Sequence, residues 1–340
     1  MRYFDLHCDT LVTCLETGKS LMKNDLHVSV EKGDRYAPYI QCAAIWLPDK
    51  IRGEAAEKWF NDHADLFDRE AAAGGFTVIR TGADIEAIEN KQGTGMMLTV
   101  EGSAVLAGKF ENIRHLRDRG VRMMTLTWNY PNELGFPNLN GYEGKRIRQE
   151  HDPVRRAAMI DYYLDMPDED NGLTRKGLEF ISKMEELGMI IDISHLSDAG
   201  FYDVLEYTKK PFVASHSNAR KVCSCVRNMT NEMIRGLAER GGVMGLNFCS
   251  DFLTRLPAGT PNPGTIAAIV EHAKHIVKVG GIEVLGLGSD FDGIDTHAEL
   301  PHAGKMHLLF DALKKGGFTE SQIDKILFGN VLRVYQEVLK

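Results

Sequence analysis

The segment MRYFDLHCDTL (1–11) sets a histidine and an aspartate two residues apart at the end of a short apolar run. An ionised carboxylate inside a buried strand is costly unless something pairs with it. Residues two apart on a strand point the same way, so His7 and Asp9 are expected on one face and Cys8 on the other. The fold follows from how often such a run recurs and from what separates the copies.

Seven more runs have this character: YIQCAAIWL (39–47), GMMLTVEG (95–102), RMMTLTW (122–128), MIIDIS (189–194), PFVASHS (211–217), GVMGLNF (242–248) and EVLGLGSD (283–290). Near-continuous apolar runs suit parallel strands buried on both faces. Helical periodicity lies between them, at 53–73, 173–187, 231–240 and 266–279. Asn231 and Ser321 stand where helix N-caps are expected. Eight strands alternating with helices predict an α/β fold, a TIM-type (β/α)8 barrel, with residues 1–340 as one domain. FTVIR (76–80) predicts a small extra strand beside it. The segment 130–172, rich in Asn, Gly, Pro and charge, predicts a long loop over the C-terminal mouth, covering substrate or contacting a second subunit.

Composition narrows the partners. With 43% hydrophobic and 26% charged residues the chain reads as a soluble globular protein. A net charge of −8 argues against a nucleic-acid or anionic-membrane partner. No apolar run is long enough to span a bilayer, and the N-terminus lacks a secretory pattern. The six cysteines are scattered, as expected of free thiols in the cytoplasm.

The ionisable residues at the strand ends form the chemical signal. His7 and Asp9 end the first strand, Glu101 the third, His195 the fifth, His216 the sixth and Asp290 the eighth. Alone, each is weak: a histidine after a strand is more often a hydrogen-bonded core residue. GLGSDFDG (286–293) lacks the spacing of a dinucleotide loop, and His272 and His275 lack the H-E-x-x-H order, reading as packing residues. Jointly, six such groups at one barrel end suit a Zn²⁺ or similar divalent site. Five ligands exceed one tetrahedral shell, which favours two ions sharing a carboxylate.

Together DLHCDTL (5–11), TVEG (99–102), DISHLSD (192–198), ASHSNAR (214–220), RNMTNE (227–232), GLGSDFDG (286–293) and GNVLRV (329–334) resemble the renal (membrane) dipeptidase family, a branch of the metal-dependent amidohydrolase barrels. The resemblance implies a homodimer with two zinc ions per chain. His7 and Asp9 would hold one ion, His195 and His216 the other, with Glu101 bridging. Asp290 would be the general acid/base, and Arg227 would bind the substrate carboxylate, with Arg220 structural. The implied reaction is hydrolysis of a dipeptide by a metal-bridging hydroxide. The family's secretion signal and lipid-anchor tail are not expected here.

One position departs from the family pattern. Where many members carry a histidine after the fourth strand, this chain reads LTWNYPN (126–132). Oxyanion stabilisation then falls to the metals, to Asn129 or to the indole N–H of Trp128, and we expect Trp128 mainly to form an apolar wall. Two other functions fit the same residues: deacylation of an N-acyl amino acid, and a metal-stabilised binding protein without turnover.

Overall fold

The structure is a computed structural model, and it describes residues 1–257 and 260–339. Among the described residues nine parallel strands form one sheet: β1 (Tyr3–Asp5), β2 (Tyr39–Trp46), β3 (Thr77–Val78), β4 (Thr94–Glu101), β5 (Met123–Thr125), β6 (Ile190–Asp192), β7 (Val213–Ala214), β8 (Val243–Leu246) and β9 (Leu285–Leu287). β2 pairs with β4 along its whole length, Tyr39 opposite Thr94 through Trp46 opposite Glu101, and β1 pairs with both β2 and β9. This closes an eight-stranded barrel ringed by helices, as the alternating pattern predicts. β3 lies outside it, paired to the first half of β4 on the edge that β5 takes further along. It is the extra strand expected at 76–80.

The strands are shorter than the apolar runs, for a physical reason. Beyond Asp5, Asp192, Ala214 and Leu287, backbone N–H groups turn to side-chain carboxylates. His7 N and Ser289 N donate to Asp5 Oδ1, at 3.2 and 2.9 Å. Ser194 N and Ser215 N donate to Asp192 Oδ1, at 3.0 and 2.8 Å. A donor taken by a side chain cannot continue the ladder, so the pairing stops and the chain bends.

One apolar cluster fills the barrel interior. It takes Phe4, Ile40, Cys42, Met97, Met123, Ile190, Val213 and Val243 from seven strands, and joins them to Val331, Val334 and Tyr335 of the helix Asn330–Val338. Tyr335 Oη reaches both Cys42 Sγ and Met123 Sδ, each at 3.3 Å, so this helix plugs the N-terminal end. Asn330, in the GNVLRV motif, donates to the carbonyls of Ile282 and Leu285 and anchors the start of β9. The larger core lies between barrel and helices.

Three local expectations are corrected. Thr230, not Asn231, caps the helix Asn231–Glu239, and Thr319, not Ser321, caps Glu320–Asp324 in a reciprocal box with Gln322. The expected long loop contains two helices, Gly141–Gln149 and Pro153–Asp165. Asp152, which accepts from Val154 N and Arg155 N, followed by Pro153 at the first helical position, is the start signal that the polar composition masks. None of residues 130–172 lines the cavity at the mouth.

Candidate active site

The C-terminal mouth of the barrel opens into a cavity of about 710 Å³. Asp9, Glu101, His195 and Asp290 line it, with Trp46, Trp128 and Asn129 as one wall and residues 249–252 and 292–295 contributing the rim. That volume suits a small organic ligand.

At its floor the six strand-end residues meet. His7 Nε2 is 3.3 Å from Asp9 Oδ2, 3.8 Å from Glu101 Oε2 and 3.9 Å from Asp290 Oδ1. His195 Nε2 and His216 Nε2 lie 3.0 and 3.4 Å from Glu101 Oε1. Glu101 thus turns Oε2 to His7 and Oε1 to His195 and His216. The candidate ligand atoms form two overlapping groups, His7 with Glu101 and His216, and His7 with Asp9 and Asp290. Asp290 stands as close to His7 as a ligand would, besides its expected acid/base position. Its Oδ2 accepts from Asn247 Nδ2 at 2.9 Å, which orients the carboxyl.

The backbone is bent to achieve this. His195 and Asp290 have φ of 69° and 63°, and Asp292 has 66°, a left-handed conformation that side chains other than glycine adopt rarely. Such conformations persist where surrounding contacts enforce them, and they gather at functional sites. Asp292 holds its bend by accepting from Thr10 Oγ1 and from the backbone N–H of His27.

The electrostatics are those of a cation site. Burial works against a charged His7, but Asp9, Glu101 and Asp290 outweigh it and hold the imidazole up at about 10. Burial raises Glu101 well above, and Asp290 above, the usual carboxylate range. Burial, with positive neighbours including Arg227 and His7, pushes His195 and His216 well down. His7 Nε2 and Asp9 Oδ1 are buried without a hydrogen-bond partner. Buried polar atoms are normally paired, so these two fit atoms that await a metal.

Each remaining site residue has a distinct place. Arg227 is buried and does not line this cavity; its Nη2 donates to the His216 carbonyl at 2.9 Å, and its Nε has no partner. Arg220 is held instead by Asp198, both of whose oxygens accept from its guanidinium at 2.7 Å, a structural pair as expected. Trp128 packs edge-to-face on Trp46, with centroids 4.9 Å apart. Asn129 lines the cavity, and its Oδ1 lies 2.8 Å from His195 Nδ1, where it orients that ring. His272 is a packing residue, fully buried between Ala219 N and the Leu253 carbonyl.

The sequence reading missed Asp5, Asp192, Asn247 and Trp46. The first two carried a signal: a carboxylate within an apolar run, in YFDLHC and MIIDIS, poses the same question as Asp9.

A barrel with a buried cluster of three histidines and three carboxylates at its C-terminal mouth defines a metal-dependent hydrolase. The chain belongs to the membrane dipeptidase family, peptidase family M19, whose model matches residues 1–145 and 154–340. An uncharacterized protein of Klebsiella pneumoniae, from the pqqA 5′ region, is 30% identical over 270 residues, 78% of this chain and 90% of that one. An uncharacterized dipeptidase of Schizosaccharomyces pombe is 33% identical over 255 residues, 74% of this chain and 55% of its own. Among solved structures, the family M19 metallopeptidase dipeptidase AC superposes with a TM-score of 0.85 at 23% identity, covering 100% of this chain and 99% of its own. A metallopeptidase from Rhodobacter sphaeroides, solved with a phosphinate mimic of the dipeptide L-Ala-D-Ala, gives 0.84 at 21% identity, with 99% of each chain covered. Among the described residues no helix is long and apolar enough to cross a membrane.

Proposed function

We propose that this protein is a zinc-dependent dipeptidase that hydrolyses the peptide bond of dipeptides. The observation that carries the reading is Glu101, whose Oε2 faces His7 at 3.8 Å while its Oε1 faces His195 and His216 at 3.0 and 3.4 Å. On this reading His7 and Asp9 would hold one zinc ion and His195 and His216 a second, with Glu101 shared between them; when bound, the ions would supply a water of lowered pKa and Lewis acidity toward the scissile carbonyl.

The protein's own groups account for the rest. Asp290, oriented by Asn247 and raised by burial, takes the proton from the nucleophile and passes it to the departing amine. Arg227, buried beside the histidines with an unpaired Nε, receives the substrate carboxylate and limits substrates to short peptides. Trp128 and Trp46 wall the side-chain space. The reading takes residues 1–340 as one catalytic unit, acting in the cytoplasm as a homodimer, and sedimentation measures the last point.

The test is a panel of dipeptides and N-acetyl amino acids, assayed on protein stripped of metal and then reloaded with zinc, cobalt or manganese. Zinc-restored turnover of dipeptides is expected. Turnover confined to the N-acetyl amino acids would favour a deacylase, and binding without turnover would reduce the site to a metal-stabilised receptor.

A further inference from the structure

We infer that Asp192 is a positioning residue which, through Ser215, fixes the tautomer of His216 so that Nε2 permanently offers its lone pair to the cluster. The inference rests on the proposed metal site for its purpose, but its structural content stands on hydrogen bonds alone.

Asp192 is fully buried at the end of β6. Four donors reach it. Ser194 N and Ser215 N bond Oδ1 at 3.0 and 2.8 Å, and Thr125 Oγ1 and Ser215 Oγ bond Oδ2 at 2.6 and 2.5 Å. Asp192 accepts from all four, so the Ser215 hydroxyl proton points at Asp192. That leaves Ser215 Oγ with lone pairs alone for its other neighbours, His216 Nδ1 at 2.7 Å and Ser194 Oγ at 3.3 Å. Nδ1 must therefore carry the proton, and Nε2 is bare. The backbone reinforces the arrangement, because His216 N donates to Ser194 Oγ at 3.1 Å.

The partner histidine is held differently. His195 Nδ1 meets Asn129, and an amide can present either an acceptor or a donor, so it constrains the ring less than a carboxylate does. The two histidines of this half-site thus have unequal supports. Outer partners of this kind typically change metal affinity by about 10- to 100-fold when removed.

The experiment uses full-length protein labelled with ¹⁵N-histidine. In the metal-free protein the His216 signals should report the Nδ1–H tautomer. In Asp192→Asn the side-chain amide donates towards Ser215 Oγ, which frees the hydroxyl proton to turn onto Nδ1. The Nε2–H tautomer should then appear, and one of two zinc equivalents should bind about 10- to 100-fold more weakly, with the circular dichroism spectrum unchanged. Ser215→Ala should reproduce both effects with Asp192 intact, which keeps the test open if Asp192→Asn does not fold, and Ser215→Thr should restore the wild-type tautomer. An Nε2–H tautomer in the wild type, or no change of tautomer in either variant, would overturn the inference. Failure of the wild type to bind zinc would instead overturn the proposed metal site and leave the tautomer result standing.

Discussion

His195 Nε2 and His216 Nε2 stand 3.1 Å apart, and both face a single oxygen, Glu101 Oε1. Where both rings present bare nitrogens, two lone pairs and a carboxylate oxygen converge, an arrangement that a shared cation would relieve. Glu101 faces His7 with its other oxygen, so removing its charge should be felt in both halves. Glu101→Gln should weaken both zinc equivalents by about 100-fold or more, as measured by equilibrium dialysis with elemental analysis. A variant that lost only one ion would show that Glu101 belongs to one site.

Asp290 is the point where ligand and proton carrier must be told apart. Its Oδ1 is 3.9 Å from His7 Nε2, and its Oδ2 is held by Asn247. In the proton-carrier role, Asp290→Asn should keep both ions and lower kcat by about 10²- to 10⁴-fold. Loss of metal in this variant would make Asp290 a ligand. Asp292 is no substitute, because Thr10 and His27 already occupy its oxygens.

Arg227 gives a prediction about substrate form. Arg227→Ala should raise KM for dipeptides by about 10-fold or more, through loss of a charge-assisted contact. Dipeptide amides, lacking the carboxylate, should be poor substrates of the wild type and respond little to the change. Equal wild-type rates on dipeptides and their amides would remove this role.

Trp128 packs on Trp46 and lines the cavity, the geometry of a wall. Trp128→Phe should therefore leave kcat within about threefold and shift preference among dipeptide side chains. A uniform fall of about 10²- to 10³-fold across all substrates would assign the indole N–H to the oxyanion.

Away from the site, His272 sets an acid limit on stability. Burial pushes it down to about 4, against the opposing pull of its bond to the Leu253 carbonyl. The folded state thus holds His272 neutral, while an unfolded histidine protonates near pH 6.5. Its contribution is complete above about pH 6.5 and is lost as pH falls through about 4, on the order of 3 kcal/mol in all. Urea midpoints at about pH 7 and pH 4.5 measure the slope, and His272→Gln, which does not titrate, should flatten it. An unchanged slope would place acid sensitivity elsewhere.

The barrel was legible because eight buried parallel strands each leave an apolar run, and even the two-residue β3 left one at 76–80. The candidate cluster was legible for a related reason: His7, Asp9, Glu101, His195, His216 and Asp290 each follow such a run, and a barrel sends all strand ends to one mouth. What lay beyond local pattern was the support. Asp5 reaches Ser289, 284 residues further along, and Asp192 reaches Ser215 just past the end of the next strand, pairings that no spacing reveals. The contact of Asn129 with His195 was not legible either, because it arises only when β5 and β6 lie side by side. The helices at 141–165 were hidden by their polarity: Pro153–Asp165 contains no buried residue, so it leaves no apolar stripe.

The most direct test of the central claim is X-ray diffraction at the zinc absorption edge from crystals of the zinc-loaded protein. The account predicts two anomalous peaks flanking Glu101, one against His7 and Asp9 and one against His195 and His216. A single peak, or peaks away from Glu101, would contradict it.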